Sequence, residues 1–206
     1  MVVTVASFKG GVGKTTTAIH LADYFARHHS PPLLVDGDPN RSSTDWARRG
    51  VMPFKVIDEG DLALHARDYE HLVIDTEARP TSVDLQALVS GCDLLVIPTT
   101  PDALALHALV LTVDALRALG AENFKILLTM VPPFPSRDGE EARALLLANS
   151  LPVFKTEIPR LVAFQKAALA GVPVHKVKDP RAGTAGSSYE LLGREVLPWD
   201  PASLLR

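Results

Sequence analysis

The chain has 206 residues, 47% of them hydrophobic, with a mean hydropathy of +0.13 and a net charge of −3. This composition excludes extensive disorder, the apolar runs are too short for a membrane-spanning helix, and the N-terminus does not resemble a signal peptide. The single cysteine, Cys92, excludes an internal disulfide and the paired cysteines of an iron–sulfur carrier, so we expect a small core residue in a cytoplasmic protein.

A glycine-rich loop follows the first predicted strand. Residues 2–6 form an apolar run, residues 8–16 read FKGGVGKTT, and residues 17–26 repeat apolar side chains at helical spacing. Strand, glycine loop and helix are the context of a phosphate-binding loop, because glycines and a helix N-terminus offer N–H donors to phosphate oxygens. Lys14 would reach the β- and γ-phosphates, and the Thr15 hydroxyl would bind Mg²⁺. The alternative is a glycine turn that binds nothing.

The loop differs from the ordinary GxxxxGK[ST] pattern. Phe8 stands in place of the first glycine, and Lys9 precedes the paired glycines. The string KGGVGKTT therefore resembles the deviant Walker A box of the ParA/MinD family of ATPases. The resemblance implies that Lys9 reaches the nucleotide of a partner subunit, so that ATP is sandwiched in a homodimer. A solvated lysine beside the loop is the alternative.

Two aspartates follow the second predicted strand, at 32–36. Asp36 ends the strand and Asp38 lies in the turn DGDPN, at the edge of an open α/β sheet where ligands bind. The turn resembles the DxDPQ box of the family, with Asn40 in place of the usual glutamine. The resemblance implies that Asp38 orients or activates the attacking water and that Asp36 lies near the metal. An Asx turn held by local hydrogen bonds is the alternative.

A further aspartate ends the apolar strand predicted at 71–75. This is the Walker B form, in which Asp75 would hold Mg²⁺, commonly through a water. The family usually continues with two prolines, whereas this chain continues Thr-Glu-Ala-Arg-Pro. The roles of Glu77 and Arg79 therefore stay open.

The other elements follow from hydrophobic pattern and breakers. They are a short helix at 41–49 that begins with residues typical of N-caps, an edge strand at 54–57, a helix at 82–90, a strand at 93–98, a long helix that ends at Leu119, a strand at 124–131, a helix at 161–170 that ends at Gly171, and a last helix at 184–196.

The resemblance extends to residues that would contact the nucleotide outside the loop. In relatives the residues after the strand at 124–131 flank the adenine ring, and Thr129 and Met130 occupy that place here, although core packing explains Met130 equally well. The expected nucleotide-contacting residues are Lys9, Gly10, Gly11, Val12, Gly13, Lys14, Thr15, Thr16, Met130 and Pro159. The expected metal ligands are Thr15, Asp36 and Asp75, and the expected catalytic residues are Lys9, Lys14 and Asp38.

Basic residues concentrate toward the C-terminus. Residues 151–206 hold eight Lys or Arg against five Asp or Glu, although the whole chain is acidic. A local basic surface binds phosphate backbones even on an acidic protein. The string IPRLVAFQKAALAGVPV resembles the family's C-terminal segment, near the surface that binds nonspecific DNA; dispersed, solvated lysines are the alternative. The candidate DNA-binding residues are Arg160, Lys166, Lys155, Lys176, Lys178 and Arg181.

Alternating strands and helices predict a single α/β domain over 1–206, with a doubly wound, mostly parallel sheet and helices on both faces. The resemblance covers nearly the whole chain and implies a P-loop ATPase that uses ATP and Mg²⁺ and dimerises on ATP. It further implies nonspecific binding to nucleoid DNA, and release when a small ParB-like or McdB-like adaptor stimulates hydrolysis. Plasmid or chromosome partition is the expected cargo function, and positioning of carboxysomes or another large complex is the alternative. We expect no N-terminal helix-turn-helix domain, because no residues precede the first strand.

Three other functions compete with this prediction. A MinD-like regulator attaches to membranes through a basic amphipathic C-terminal helix, and two prolines in the short tail at 197–206 disfavour one. A metabolic synthetase needs an acceptor site, for which the sequence offers no further constellation of His, Asp, Glu or a nucleophile. An iron–sulfur carrier needs more cysteines. We therefore expect a cytoplasmic, nucleoid-associated protein that does not bind membranes.

Overall fold

Six parallel strands form the centre of the fold. In a computed structural model, which describes residues 1–78 and 82–197, the strand order is β3-β2-β4-β1-β5-β6. The strands are β1 (Val2–Ser7), β2 (Leu33–Gly37), β3 (Lys55–Asp58), β4 (Leu72–Ala78), β5 (Leu94–Thr99) and β6 (Phe124–Leu128). The described helices are α1 (Lys14–His28), α2 (Ser42–Arg48), α3 (Leu62–His65), α4 (Ser82–Ser90), α5 (Ala103–Ala118), α6 (Asp138–Ala148), α7 (Val162–Ala170) and α8 (Ala182–Val196).

Helices cover both faces of the sheet because its strands are apolar on both faces. In β5, Leu94 and Val96 belong to one core cluster, whereas Leu95 and Ile97 belong to a second cluster. The first cluster joins the sheet to α1, α2, α7 and α8, and the second joins it to α4, α5 and α6. This confirms the doubly wound α/β architecture, with β3 at one edge as expected.

Several elements differ from the sequence-based expectation. The short helix α3 was not predicted, and the strand predicted at 71–75 continues to Ala78 as β4. No element was predicted between 136 and 152, where the structure has α6; few of its residues are buried, so the helical pattern is weak. The strand predicted to reach residue 131 ends at Leu128. Met130 has a left-handed φ of 51°, and Val131 pairs with Pro159 outside the six-stranded sheet.

Cys92 is half-buried against the second core cluster, and burial raises the pKa of its thiol to about 11, as suits a packing residue. Arg79 lies outside the described residues, and so does the tail at 198–206, which carries both prolines named for the membrane alternative. None of the described helices is both long and apolar enough to cross a bilayer.

Candidate functional site

The loop between β1 and α1 presents its backbone to an open face. Gly11 and Gly13 have φ values of 76° and 86°, which favour glycine. A Cβ at Gly10 or Gly11 would meet nothing within 4 Å. Gly13 caps α1, whose first turn carries no side-chain cap and no acidic residue. The N–H groups at this helix start are therefore available to an anion, and Lys14, the first residue of the helix, is only 7% exposed.

The loop is anchored from the end of β6. The buried Thr129 hydroxyl lies 2.8 Å from the Val12 carbonyl oxygen and 3.1 Å from that of Thr99, and these two acceptors share its single hydrogen. The sequence indicated Thr129 only as a neighbour of the adenine ring. Its support of the loop depends on a contact 117 residues apart along the chain, for which the sequence carries no local signal.

Asp75 lies in the middle of β4, directly beside Asp36 of β2. It is fully buried, and its Oδ2 accepts a hydrogen bond of 2.8 Å from the Ser43 hydroxyl, a partner that the sequence analysis missed. Its Oδ1 meets no hydrogen-bond donor among the described residues. Burial raises the pKa of Asp75 to about 6, although the hydrogen bond from Ser43 opposes that rise. A buried carboxylate with one oxygen unpartnered fits a site for a cation.

Asp36 connects the sheet to α2. Its Oδ2 accepts hydrogen bonds from the backbone N–H and the hydroxyl of Thr44, at 2.8 and 2.7 Å. Its Oδ1 lies 3.2 Å from the backbone nitrogen of Asp38. The expected capping of this helix by its own first residues is wrong: the cap position is Arg41, at φ 55°, with no side-chain cap. The Asp36 carboxylate instead accepts the hydrogen bond from the first turn of α2, because the turn after β2 places it there.

Asp38 forms the local turn that its sequence suggested. Its Oδ1 accepts hydrogen bonds from the backbone N–H and the side-chain amide of Asn40, both at 2.9 Å. Asp38 is half-buried on the same edge of the sheet as Asp36 and Asp75. The Asx turn thus fixes the carboxylate beside the candidate site without enclosing it.

Two cavities flank the glycine loop. The first, of about 280 Å³, includes Gly13, Thr16 and Pro159 in its lining and extends to Phe164 of α7. The second, of about 400 Å³, lies on the side of Lys9. Met130 and Arg160 line both cavities, and Met130 is 39% exposed, so its position beside the loop does not serve the core.

A buried histidine links α1 to the C-terminal part of the chain. His20 contacts the Thr16 carbonyl oxygen through Nδ1 at 2.6 Å, and its Nε2 accepts a hydrogen bond of 3.0 Å from the Val174 N–H. Its ring stacks on Tyr189, whose hydroxyl lies 3.2 Å from that of Thr17. Because Nε2 must accept, the ring is neutral with its proton on Nδ1. His20 lies within the predicted helix, but no motif in the sequence marks it.

The six candidate DNA-binding residues do not gather at one point. Arg160 lies beside the glycine loop, and Lys166 pairs with Asp179 at 2.7 Å near the start of α8. The backbone of Lys155 instead bonds to Glu195, near the end of α8. The 15 residues of α8 separate these ends by about 20 Å. Arg181 precedes α8, with Lys176 and Lys178 close before it in the chain.

Comparison with known families decides between the possible readings of this loop. The domain described as "CobQ/CobB/MinD/ParA nucleotide binding domain" matches residues 3–174. The chain belongs to the ParA/MinD family. Members of this family are ATPases that dimerise and act with partition or positioning partners.

The relatives and solved structures agree with this assignment. "Maintenance of carboxysome distribution protein A" of Gloeobacter kilaueensis is 34% identical over 202 residues, 95% of this chain and 93% of the relative. "Protein ParA" of Rhizobium radiobacter is 28% identical, with 90% of each chain covered. A Cyanothece McdA–ATP complex has a TM-score of 0.75 at 19% identity and covers 97% of this chain and 96% of its own. This ParA/MinD-family ATPase thus has the fold of McdA.

Proposed function

We propose that the glycine loop binds ATP with Mg²⁺, and that this chain uses ATP hydrolysis to position a cargo on nucleoid DNA. The observation that carries the proposal is the convergence of the uncapped start of α1, the buried Lys14 and the half-partnered Asp75 at one edge of the sheet. Lys14 would neutralise the β- and γ-phosphates, and the exposed loop N–H groups would hold their oxygens. The cavity beside Met130 and Pro159 would receive the base.

Magnesium fits the groups that surround Asp75. The described residues contain no group of three or more His, Cys, Asp or Glu arranged to hold a metal ion. Mg²⁺ suits such a site, because it is commonly bound through one or two carboxylates, waters and the phosphates of the substrate. Asp75 and Thr15 would hold it, and Asp36 would add negative charge nearby. When bound, the ion would spread the charge of the phosphate oxygens.

Asp38 is the group we assign to the attacking water. A carboxylate at this edge accepts a hydrogen bond from water and so orients it toward the terminal phosphate. The Asx turn with Asn40 supports this role, because it holds the carboxylate in one orientation before the nucleotide arrives. Asp36 supports the same turn through the Asp38 backbone N–H.

We assign to Lys9 a contact with the nucleotide of a second copy of the chain. The support is its place on the open side of the loop, where Gly10 and Gly11 are exposed and a cavity of about 400 Å³ adjoins them. The dimer would bind DNA through basic residues of the C-terminal segment, and a small ParB-like or McdB-like adaptor would stimulate hydrolysis and release it. The 34% identity to a carboxysome-distribution protein supports positioning of a protein organelle. The 28% identity to ParA supports partition, so both cargo functions fit this chain.

The phosphate-loop assignment is tested by nucleotide binding to Lys14→Ala, measured by calorimetry with Mg-ATP. We expect loss of measurable binding, because the lysine charge next to the phosphates is removed. Lys55→Ala is the matched control. Lys55 is an exposed residue of the edge strand β3, and His65 is the one partner that the structure describes for its ammonium group. Retained affinity in Lys14→Ala would contradict the assignment.

A further inference from the structure

The loop lysine has an ion-pair partner within its own subunit. Lys9 Nζ lies 2.9 Å from Oδ1 and 3.2 Å from Oδ2 of Asp102, so both carboxylate oxygens face the ammonium group. The pair spans 93 residues of sequence and connects the glycine loop to the start of α5. The two side chains are 33% and 50% exposed, at the rim of the cavity beside the loop. Lys9 is therefore occupied in the single subunit.

Asp102 is fixed before Lys9 contacts it. It caps α5, because its Oδ1 accepts a hydrogen bond of 3.0 Å from the Ala105 N–H. The Thr100 hydroxyl donates to Oδ2. The Thr100 hydrogen bond, and then Lys9, lower the pKa of Asp102 to about 2 despite partial burial. The carboxylate is thus charged and held at neutral pH, and it offers Lys9 a preformed site.

We propose that Asp102 is a positioning residue that retains Lys9 within its own subunit and must release it before two copies of the chain close on ATP. This inference rests on the proposed trans-acting role of Lys9. The two contacts compete for one ammonium group, since an extended lysine that reaches a phosphate of the partner subunit leaves the Asp102 carboxylate. Asp102 would then set the protein concentration at which ATP produces the dimer.

The size of the effect follows from the exposure of the pair. A half-exposed ion pair shifts an equilibrium by about two- to fivefold. A symmetric dimer requires that Lys9 leaves Asp102 in both subunits, so this two- to fivefold factor applies twice. The dimer dissociation constant then changes by about 4- to 25-fold. Salt screens the exposed pair, so the effect should shrink as ionic strength rises.

The test compares dimerisation of Asp102→Asn with the parent chain, both in an Asp38→Ala background that slows turnover, by sedimentation with saturating Mg-ATP. Asparagine keeps the cap on α5 and removes the charge. We expect a dimer dissociation constant 4- to 25-fold lower, with unchanged ATP affinity at concentrations where the chain is monomeric. If Asp102→Asn folds poorly, Asp102→Ser replaces it, because serine also caps α5 and carries no charge. The same decrease in the dimer dissociation constant is expected. Asp45→Asn is the control. It removes a charge from an exposed ion pair in a different helix, α2, and should leave the dimer dissociation constant unchanged.

Lys9→Ala separates this inference from the proposed function. If Lys9 acts on the partner's nucleotide, Lys9→Ala weakens the dimer, and adding Asp102→Asn to it has no further effect. Weakening by Lys9→Ala together with an unchanged or weaker dimer in Asp102→Asn would overturn the retention role alone. Dimerisation that survives Lys9→Ala would overturn the trans-acting role of Lys9, and the retention role with it.

Discussion

The buried histidine of α1 makes the stability of this protein depend on pH. Burial lowers the pKa of His20 to about 4 from its ordinary value of 6.5, although its contact with the Thr16 carbonyl oxygen opposes this shift. Protonation would place a hydrogen on Nε2, which accepts the Val174 N–H in the folded chain. Two donors would then face each other inside the core, at the contact that joins α1 to the segment before α8.

The direction in which stability changes with pH follows from the number of protons bound by the folded and the unfolded chain. Between the two pKa values the unfolded chain binds a proton at His20 and the folded chain does not, so the free energy of unfolding falls as pH falls. The contribution of the neutral His20 to the free energy of unfolding is complete above about pH 6.5. From about pH 7.5 to about pH 5 the expected loss is about 2 kcal/mol, and it approaches about 3 kcal/mol below pH 4.

Urea denaturation of the nucleotide-free chain at the two pH values measures this loss. His71 and His175 also have lowered pKa values and add losses of the same sign, so the comparison uses His20→Gln as a control that cannot titrate. Between pH 7.5 and pH 5 the free energy of unfolding of the parent chain should fall by about 2 kcal/mol more than that of His20→Gln. The other titrating groups are present in both chains, so their contributions cancel. Equal losses in the two chains would refute the assignment of a neutral, buried His20.

Two further predictions address catalysis and packing. Asp38→Ala should bind Mg-ATP with near-normal affinity and hydrolyse it at least tenfold more slowly, measured by phosphate release, whereas normal turnover would move the water-orienting role to another group. Gly171→Ala should lower the free energy of unfolding by about 2 kcal/mol or more in urea titrations, because Gly171 has φ 66° and its Cβ would lie 2.3 Å from the Gly50 nitrogen. Gly183→Ala, in open space within α8, is the control and should be neutral or slightly stabilising; equal effects would contradict the close approach.

Local patterns predicted the elements that bury apolar residues on both faces. The runs that became β1, β2 and β5 are short and apolar, and each is followed by turn or glycine residues, so their predicted boundaries lie within two residues of those in the structure. The strand predicted at 71–75 instead continues to Ala78 as β4, where Thr76 still pairs with Gly37 of β2. The pattern failed at α6, because a helix whose surface is largely exposed has weak apolar periodicity. It also extended β6 too far, since the left-handed turn at Met130 has no glycine to announce it.

The candidate site was predictable where one segment carries both a motif and its chemistry. The glycine loop and the aspartates at strand ends are of this kind. The contacts of Ser43, Thr129 and His20 were not predictable, because each residue contacts a distant segment: the Asp75 carboxylate, the Val12 carbonyl and the Val174 N–H. Such hydrogen bonds between distant segments depend on the packed fold rather than on neighbouring residues in the sequence.

Binding to nonspecific duplex DNA is the measurement that tests the positioning role most directly. It would be made with ATP, with ADP and without nucleotide, in the Asp38→Ala background and over a range of salt concentrations. We expect binding that requires ATP and weakens steeply as salt rises, because basic side chains of a dimer contact phosphates. Absence of DNA binding in all three states, in a chain that still binds ATP, would contradict the account.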